Sequence, residues 1–275
     1  MTSPKPAAAP ELIATDLDGT LLRSDRTLSE RTLRVLSGAG EAGMEVVFVT
    51  ARPPRFVEAL AAEYGLTGTA VCSNGALVYD VDTATVQRSR FLPSETARKV
   101  ADALSTTVGD IGFAVETGRH LVFAPGFGHL LPEDVAAERP VASVDGLWEW
   151  RTPLVKLLAW SATVDADTML AAAEEAAGDT AQFTHSGGSG LLEVSAPGVT
   201  KADTLAQLCR ERSIAPRDVI AFGDMPNDMT VLEWAGVGYA MGNAHPAVLQ
   251  AVPRHTASNE EDGVAAALEE FLTLG

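Results

Sequence analysis

Leu12-Ile13-Ala14-Thr15-Asp16-Leu17-Asp18-Gly19-Thr20-Leu21-Leu22 sets two carboxylates two residues apart, where an apolar run ends. Residues two apart in an extended chain project to the same side, so Asp16 and Asp18 leave the predicted strand together. Gly19 accepts positive φ and lets the backbone turn directly after the second acid, which places both acids on a strand-end loop rather than in a core. Open α/β sheets bind ligands at that edge. Two neighbouring carboxylates repel each other and suit a hard cation. A solvated acidic turn would carry the same pair, so partners elsewhere in the chain decide between the two.

Downstream, Ser29 suits the cap of a helix with Leu33 and Leu36 inward, ending by Gly43. Met44–Val49 is continuous in Val and Phe and predicts a buried strand that stops at Thr50-Ala51-Arg52. Pro53 and Pro54 open a helix with Phe56, Val57, Leu60 and Tyr64 on one face, and Thr69–Cys72 predicts a third strand before the turn Ser73-Asn74-Gly75. This β-α-β-α-β order predicts a parallel sheet with right-handed crossovers. Beyond Tyr79 the rhythm breaks. A helix capped by Ser94, strands at Ile111–Val115 and Leu121–Ala124, a loop-rich stretch from Pro125 to Pro140, a strand at Val155–Trp160, an Asp165-capped helix to Ala177 and a strand at Ala181–His185 follow without strict alternation. Such a run reads as an inserted α+β unit of about 100 residues.

Ser186-Gly187-Gly188-Ser189-Gly190 is a flexible joint by composition and is expected to mark the return to the first domain. The α/β rhythm then resumes. Thr200 precedes a helix starting at Lys201, Val219–Phe222 ends at Gly223-Asp224, a helix spans Met229–Trp234, a strand spans Gly238–Met241, and Val264, Leu268, Phe271 and Leu272 face one side of a last helix. The expected fold class is α/β: a Rossmann-like parallel-sheet core over 11–81 and 188–275, an inserted α+β cap over 82–187, and a disordered tail over 1–10.

A hydrophobic fraction of 46% is ample for a core. The net charge of -17 disfavours nucleic acid and anionic membrane as partners, so neither is expected, and any anion site needs a local cation. Cys72 and Cys209 lie in apolar surroundings, as reduced core cysteines do, and no run of about 18 apolar residues exists to span a membrane. A cytoplasmic location is expected. The five histidines show no metal-ligand spacing, and Trp148 and Trp150 suit packing of the inserted unit.

Thr50, Lys201 and the segment Gly223-Asp224-Met225-Pro226-Asn227-Asp228 complete a pattern in which each candidate sits at a strand end or a helix start. Lys201 is informative because a cation in a first helical turn opposes the helix dipole unless an anion lies there. The order Asp16-Leu17-Asp18-Gly19-Thr20, Thr50, Lys201, Gly223-Asp224 with Asn227-Asp228 resembles the four motifs of the haloacid dehalogenase-like superfamily. Ser73-Asn74-Gly75-Ala76, Gly198-Val199-Thr200-Lys201, Ala240-Met241-Gly242-Asn243-Ala244 and Asn259-Glu260-Glu261-Asp262-Gly263-Val264 are similar to its Cof-type phosphatase branch, which inserts a large (subfamily IIB, C2-type) cap between the second and third motifs. One departure is Ala51, where relatives usually carry Gly before the arginine, a change that narrows the allowed backbone.

The resemblance implies a magnesium-dependent phosphatase hydrolysing small phosphorylated metabolites, sugar phosphates or similar esters, through an aspartyl-phosphate. Asp16 would be the nucleophile; with a reference pKa of about 3.9 it is ionised at neutral pH and needs no activating base. Asp18 would act as general acid and then base. Mg2+ would be held by Asp16, the Asp18 carbonyl and Asp224, while Thr50, Lys201 and Asn227 would hold the phosphoryl oxygens and Asp228 would orient the metal or Lys201. Arg52 suits either substrate or cap contact or a plain surface salt bridge. Phe127, His129 and the 125–140 loop are the cap candidates for leaving-group selection. A phosphomutase or other phosphotransferase of the same superfamily, separated by whether water or a sugar hydroxyl takes the phosphoryl group, is the alternative enzymatic reading. A non-enzymatic phospho-acceptor regulator is the other, against which length, the inserted cap and the motif order count.

Overall fold

A computed structural model describes residues 10–187 and 190–272. The expected tail, Pro10 apart, and Gly188 and Ser189 of the expected joint lie outside the described residues.

Strands β1 (Leu12–Thr15), β2 (Glu45–Val49), β3 (Thr69–Cys72), β4 (Leu77–Asp80) and β5 (Thr85–Ser89) come first; β6 (Ile111–Glu116), β7 (Leu121–Phe123), β8 (Glu138–Pro140), β9 (Lys156–Ser161), β10 (Gln182–Thr184) and β11 (Leu191–Ser195) follow, and β12 (Val219–Gly223) and β13 (Val237–Ala240) close the series. They form two sheets. The first runs β13-β12-β1-β2-β3-β4-β5 and the second β10-β11-β9-β6-β7-β8. In the first sheet β13, β12, β1, β2 and β3 are parallel, as the alternating pattern predicts, and Thr15 stands level with Phe222 on one side and Phe48 on the other. The chain builds outward from β1 in one direction, then returns to build in the other. Asp16, Thr50 and Asp224 therefore emerge side by side at the carboxyl ends of three adjacent strands, at a topological switch point.

All four residues of β1 are buried, which explains a continuous rather than alternating apolar run. Ser29 caps the helix Glu30–Glu41 through the Thr32 N–H, and that helix packs on the final helix Gly263–Leu272, joined at its edge by Arg31 and Glu269. Pro54 begins the helix Pro54–Tyr64, closed by left-handed Gly65. Ala51 does not adopt positive φ, so its backbone does not require the glycine that the family resemblance led one to expect there.

Both expected domain boundaries shift. β4 and β5 form an antiparallel hairpin on β3, extending the first sheet to Ser89 rather than 81; β5 is exposed at the sheet edge, so its residues carry little apolar signal. Leu191–Ser195 pairs with β9 and β10, so Ser186, Gly187 and Gly190 of the expected joint stand between two paired strands of the second sheet, and the return to the first sheet follows Ser195. β11 is buried throughout, and its composition fits a core strand of either sheet. A smaller correction concerns Ser94, which is the first residue of the helix Ser94–Thr107 and makes no capping bond; Pro93 occupies the cap position.

The second sheet has two apolar faces. One packs on the helices Ser94–Thr107 and Ala166–Ala177, with Phe113, Leu157 and Leu192 inward and Trp148 and Trp150 against it. The other gathers Leu121, Phe127, Leu158 and Leu191. Leu121, Leu158 and Leu191 of that second face roof a cavity of about 290 Å³ floored by Asp16, Asp18 and Thr50. The two crossings between the sheets run together: Arg90, on the outward one, donates to the Gly198 carbonyl on the return and pairs with Asp203.

Candidate active site

Thr200 caps the helix Lys201–Glu211 by accepting from the Asp203 N–H, and the first helical residue, Lys201, turns inward. Its ammonium lies 2.7 Å from Asp16 Oδ1 and 2.7 Å from Asp228 Oδ1, and its side chain is 1% exposed. Burial alone would lower the Lys201 pKa, but the two carboxylates outweigh it and hold the ammonium firmly charged.

Carboxylate oxygens of Asp16, Asp224 and Asp228 lie within 4.8 Å of one another. Asp228 is already spent on hydrogen bonds: Oδ1 accepts from Lys201, and Oδ2 accepts from the Asp224 and Met225 N–H groups at 3.1 and 3.0 Å. It fixes both the lysine and the turn after β12. Asp224 Oδ1 accepts from the Thr20 hydroxyl at 2.9 Å. Gly19, at φ 74°, leaves room for this, since a Cβ there would fall 2.4 Å from Asp224 Oδ2. The acid loop is braced from behind by Asn243, which donates to the Gly19 carbonyl, and Asn259, which donates to the Leu22 carbonyl. Thr50 is buried beneath the cavity; its hydroxyl oxygen accepts from the Arg52 N–H at 3.0 Å, while the cap of the next helix is Pro53. Asn227 lines the cavity and donates through Nδ2 to Asn74 Oδ1 at 3.1 Å.

Three buried carboxylates thus share one ammonium. Burial pushes Asp16 well above its usual range against the pull of Lys201, with Asp228 and Asp224 adding to the rise; burial and Asp228 raise Asp224 to about 7. The surplus of negative charge and the all-oxygen donor set fit a hard divalent cation.

Residues 13–268 match the sequence profile of the haloacid dehalogenase-like hydrolases. The chain belongs to that family. It is 30% identical, across 96% of its length and 98% of the relative's, to the 5-amino-6-(5-phospho-D-ribitylamino)uracil phosphatase YitU of Bacillus subtilis. It is 27% identical, across 92% and 96%, to the pyridoxal phosphate phosphatase YbhA of Escherichia coli. The crystal structure of a haloacid dehalogenase-like hydrolase from Bacteroides thetaiotaomicron superposes with a TM-score of 0.77 at 26% identity, covering 95% of this chain and 99% of that one. A phosphatase of the haloacid dehalogenase type is the enzyme class these likenesses give.

Arg55, Lys156 and Glu193 line the cavity of this family member and were not singled out by sequence, whereas Arg52 was named with its partner left open. Arg52 binds both oxygens of Asp18, through Nε and Nη2 at 2.8 Å each, and lies 4.5 Å over the Phe56 ring. Of the alternatives the sequence left open, a salt bridge is present, with Asp18 as its partner. Arg55, from the helix Pro54–Tyr64, reaches across to Glu116 and Asp134 of the inserted unit, at 2.8 and 2.7 Å. Lys156 and Glu193, on β9 and β11, form a buried ion pair, and Lys156 also donates to the Ala51 carbonyl at 2.9 Å. A lone charge inside each of the apolar runs Leu154–Ala159 and Leu191–Val194 was the available signal. Of the two cap candidates named from sequence, His129 lines the cavity, its pKa lowered by burial, whereas Phe127 packs in the apolar face behind it.

Proposed function

We propose that the chain is a magnesium-dependent phosphomonoesterase that hydrolyses small phosphorylated metabolites, such as sugar phosphates, through an aspartyl-phosphate on Asp16. The observation that carries this reading is the Lys201 ammonium set 2.7 Å from Asp16, with Asp224 beside it at the end of the neighbouring strand. A carboxylate can attack a phosphoryl dianion only where positive charge offsets the repulsion, and Lys201 supplies one such charge.

In this mechanism an Asp16 oxygen bonds to phosphorus as the ester P–O bond breaks, and Asp18 gives its proton to the departing alcohol. Asp18 then takes a proton from water, whose oxygen attacks phosphorus; the Asp16–phosphorus bond breaks and inorganic phosphate leaves. Asp16, the Asp18 carbonyl and Asp224 would hold Mg2+, which supplies Lewis-acid stabilisation of the phosphoryl oxygens. Thr50 and Asn227 hold the remaining oxygens, and Asp228 positions Lys201. The cavity of about 290 Å³ supports a small leaving group, near the lower end of the roughly 300–1,000 Å³ usual for ligand sites. The relatives' named substrates, a phosphoribitylamino-uracil and pyridoxal phosphate, are also small metabolites.

The net charge of -17 argues against nucleic acid as a partner. Among the described residues no helix is long and apolar enough to cross a membrane, and Cys72 and Cys209 are free and buried, which supports a cytoplasmic setting. The test is hydrolysis of p-nitrophenyl phosphate with magnesium. Asp16→Asn is expected to reduce turnover to background, and retention of full turnover would reject the covalent mechanism.

A further inference from the structure

The turn Ser73-Asn74-Gly75 takes no part in the chemistry above, yet its backbone is unusual. All three residues have positive φ, 52°, 55° and 100°, a conformation disfavoured wherever there is a side chain. The turn touches the loop after β2 and the start of the Lys201 helix. Ser73 and Asn74 donate their N–H groups to the carbonyls of Arg52 and Thr50, at 2.9 and 3.1 Å. A Cβ on Gly75 would fall 2.2 Å from the Thr200 carbonyl oxygen, so the turn is pressed against the start of the Lys201 helix.

The Asn74 side chain, 3% exposed, closes a directional chain of hydrogen bonds. Its Nδ2 donates to Glu193 Oε2 at 3.1 Å, and its Oδ1 accepts from Asn227 Nδ2 at 3.1 Å. A carboxylate only accepts, while an amide has one donating and one accepting end. The charge on Glu193 therefore dictates which way round Asn74 sits, and Asn74 dictates which way round Asn227 sits. Glu193 is kept as the anion by Lys156, and Ser186 donates to its other oxygen at 2.8 Å. An amide nitrogen carries two hydrogens, so Asn227 Nδ2 has one beyond the hydrogen it gives to Asn74.

We propose that Asn74 is a positioning residue that transmits the acceptor character of Glu193, on the inserted sheet, to Asn227 in the core, so that the nitrogen end of the Asn227 amide is presented to the phosphoryl group. This rests on the reading of Asn227 as a phosphate-holding residue. It also makes the orientation of a core side chain conditional on the seating of the cap.

A polarity reversal tests it. Asn74→Asp keeps the size and tolerates positive φ, but sets two acceptors face to face; Glu193→Gln would not repair the pair, because the Lys156 ammonium already donates to the oxygen that Asn74 faces. Asn74→Asp is expected to lower kcat on p-nitrophenyl phosphate by about ten-fold or more, with a smaller change in KM. An Asn74→Asp variant with the kcat of wild type would overturn the inference. Asn74→Gly, which retains the backbone preference, gives an independent check: in an Asn227→Ala background it should cost less than about two-fold, because Asn74 acts through Asn227, and losses that multiply would overturn the inference. An active wild type with an unimpaired Asn74→Gly variant defeats this inference alone. A wild type that hydrolyses no phosphomonoester with magnesium defeats the phosphatase reading, and this inference with it.

Discussion

Arg52 grips both carboxylate oxygens of Asp18, each at 2.8 Å, from the loop that follows the neighbouring strand. The proposed acid and base is thus aimed by a planar fork whose far face rests on Phe56. Arg52→Lys keeps the charge and loses the fork, so it is expected to lower kcat by about ten-fold with little change in KM, and Arg52→Ala by more. Steady-state kinetics on p-nitrophenyl phosphate decide; a lysine variant as fast as wild type would show that the fork is irrelevant to turnover.

Arg55 bridges the two sheets through Glu116, 3% exposed, and Asp134. Arg55→Ala strands both acids at a largely buried boundary and is expected to cost roughly 2–4 kcal/mol of stability, together with a rise in KM as the inserted unit loses a contact that holds it over the cavity. Urea unfolding and kinetics check the two parts separately.

Gly19→Ala places a Cβ 2.4 Å from Asp224 Oδ2 and forces alanine to φ 74°. Either Asp224 moves or the acid loop does. A displacement of this kind is expected to cost about 100-fold in kcat/KM. Magnesium titration followed by thermal unfolding should show a weaker upshift than in wild type, and an unchanged upshift would mean that Asp224 is not involved in holding the ion.

Much of this was legible beforehand, for physical reasons. Asp16, Thr50, Lys201 and Asp224 each follow a buried strand or begin a helix, so local pattern was enough to place them at one sheet edge. The exposed hairpin strand Thr85–Ser89 has no alternation to read, and Leu191–Ser195 is apolar enough to belong to either sheet. Lys156 and Glu193 were unreadable as a pair because their contact depends on how β9 and β11 register within the sheet and how that sheet sits over Ala51.

Acid should expose the second of these residues. Lys156 holds the Glu193 carboxyl below its ordinary 4.5 despite complete burial. A depressed native pKa means the unfolded chain binds more protons, so the stabilisation is complete above about pH 4.5 and drains away as pH falls through the lower native value. Urea midpoints of wild type should drop across that window, and those of Glu193→Gln should drop less steeply. Parallel slopes would assign the acid sensitivity elsewhere.

Arg90 stitches the outgoing and returning connections of the inserted unit to each other, through Gly198 and Asp203. Two ropes tied at one knot resist sliding past each other, and the knot lies at their base, away from the cavity roof. New leaving-group pockets can be tried by rewriting the roof while that knot, and the ammonium next to it, stay where they are.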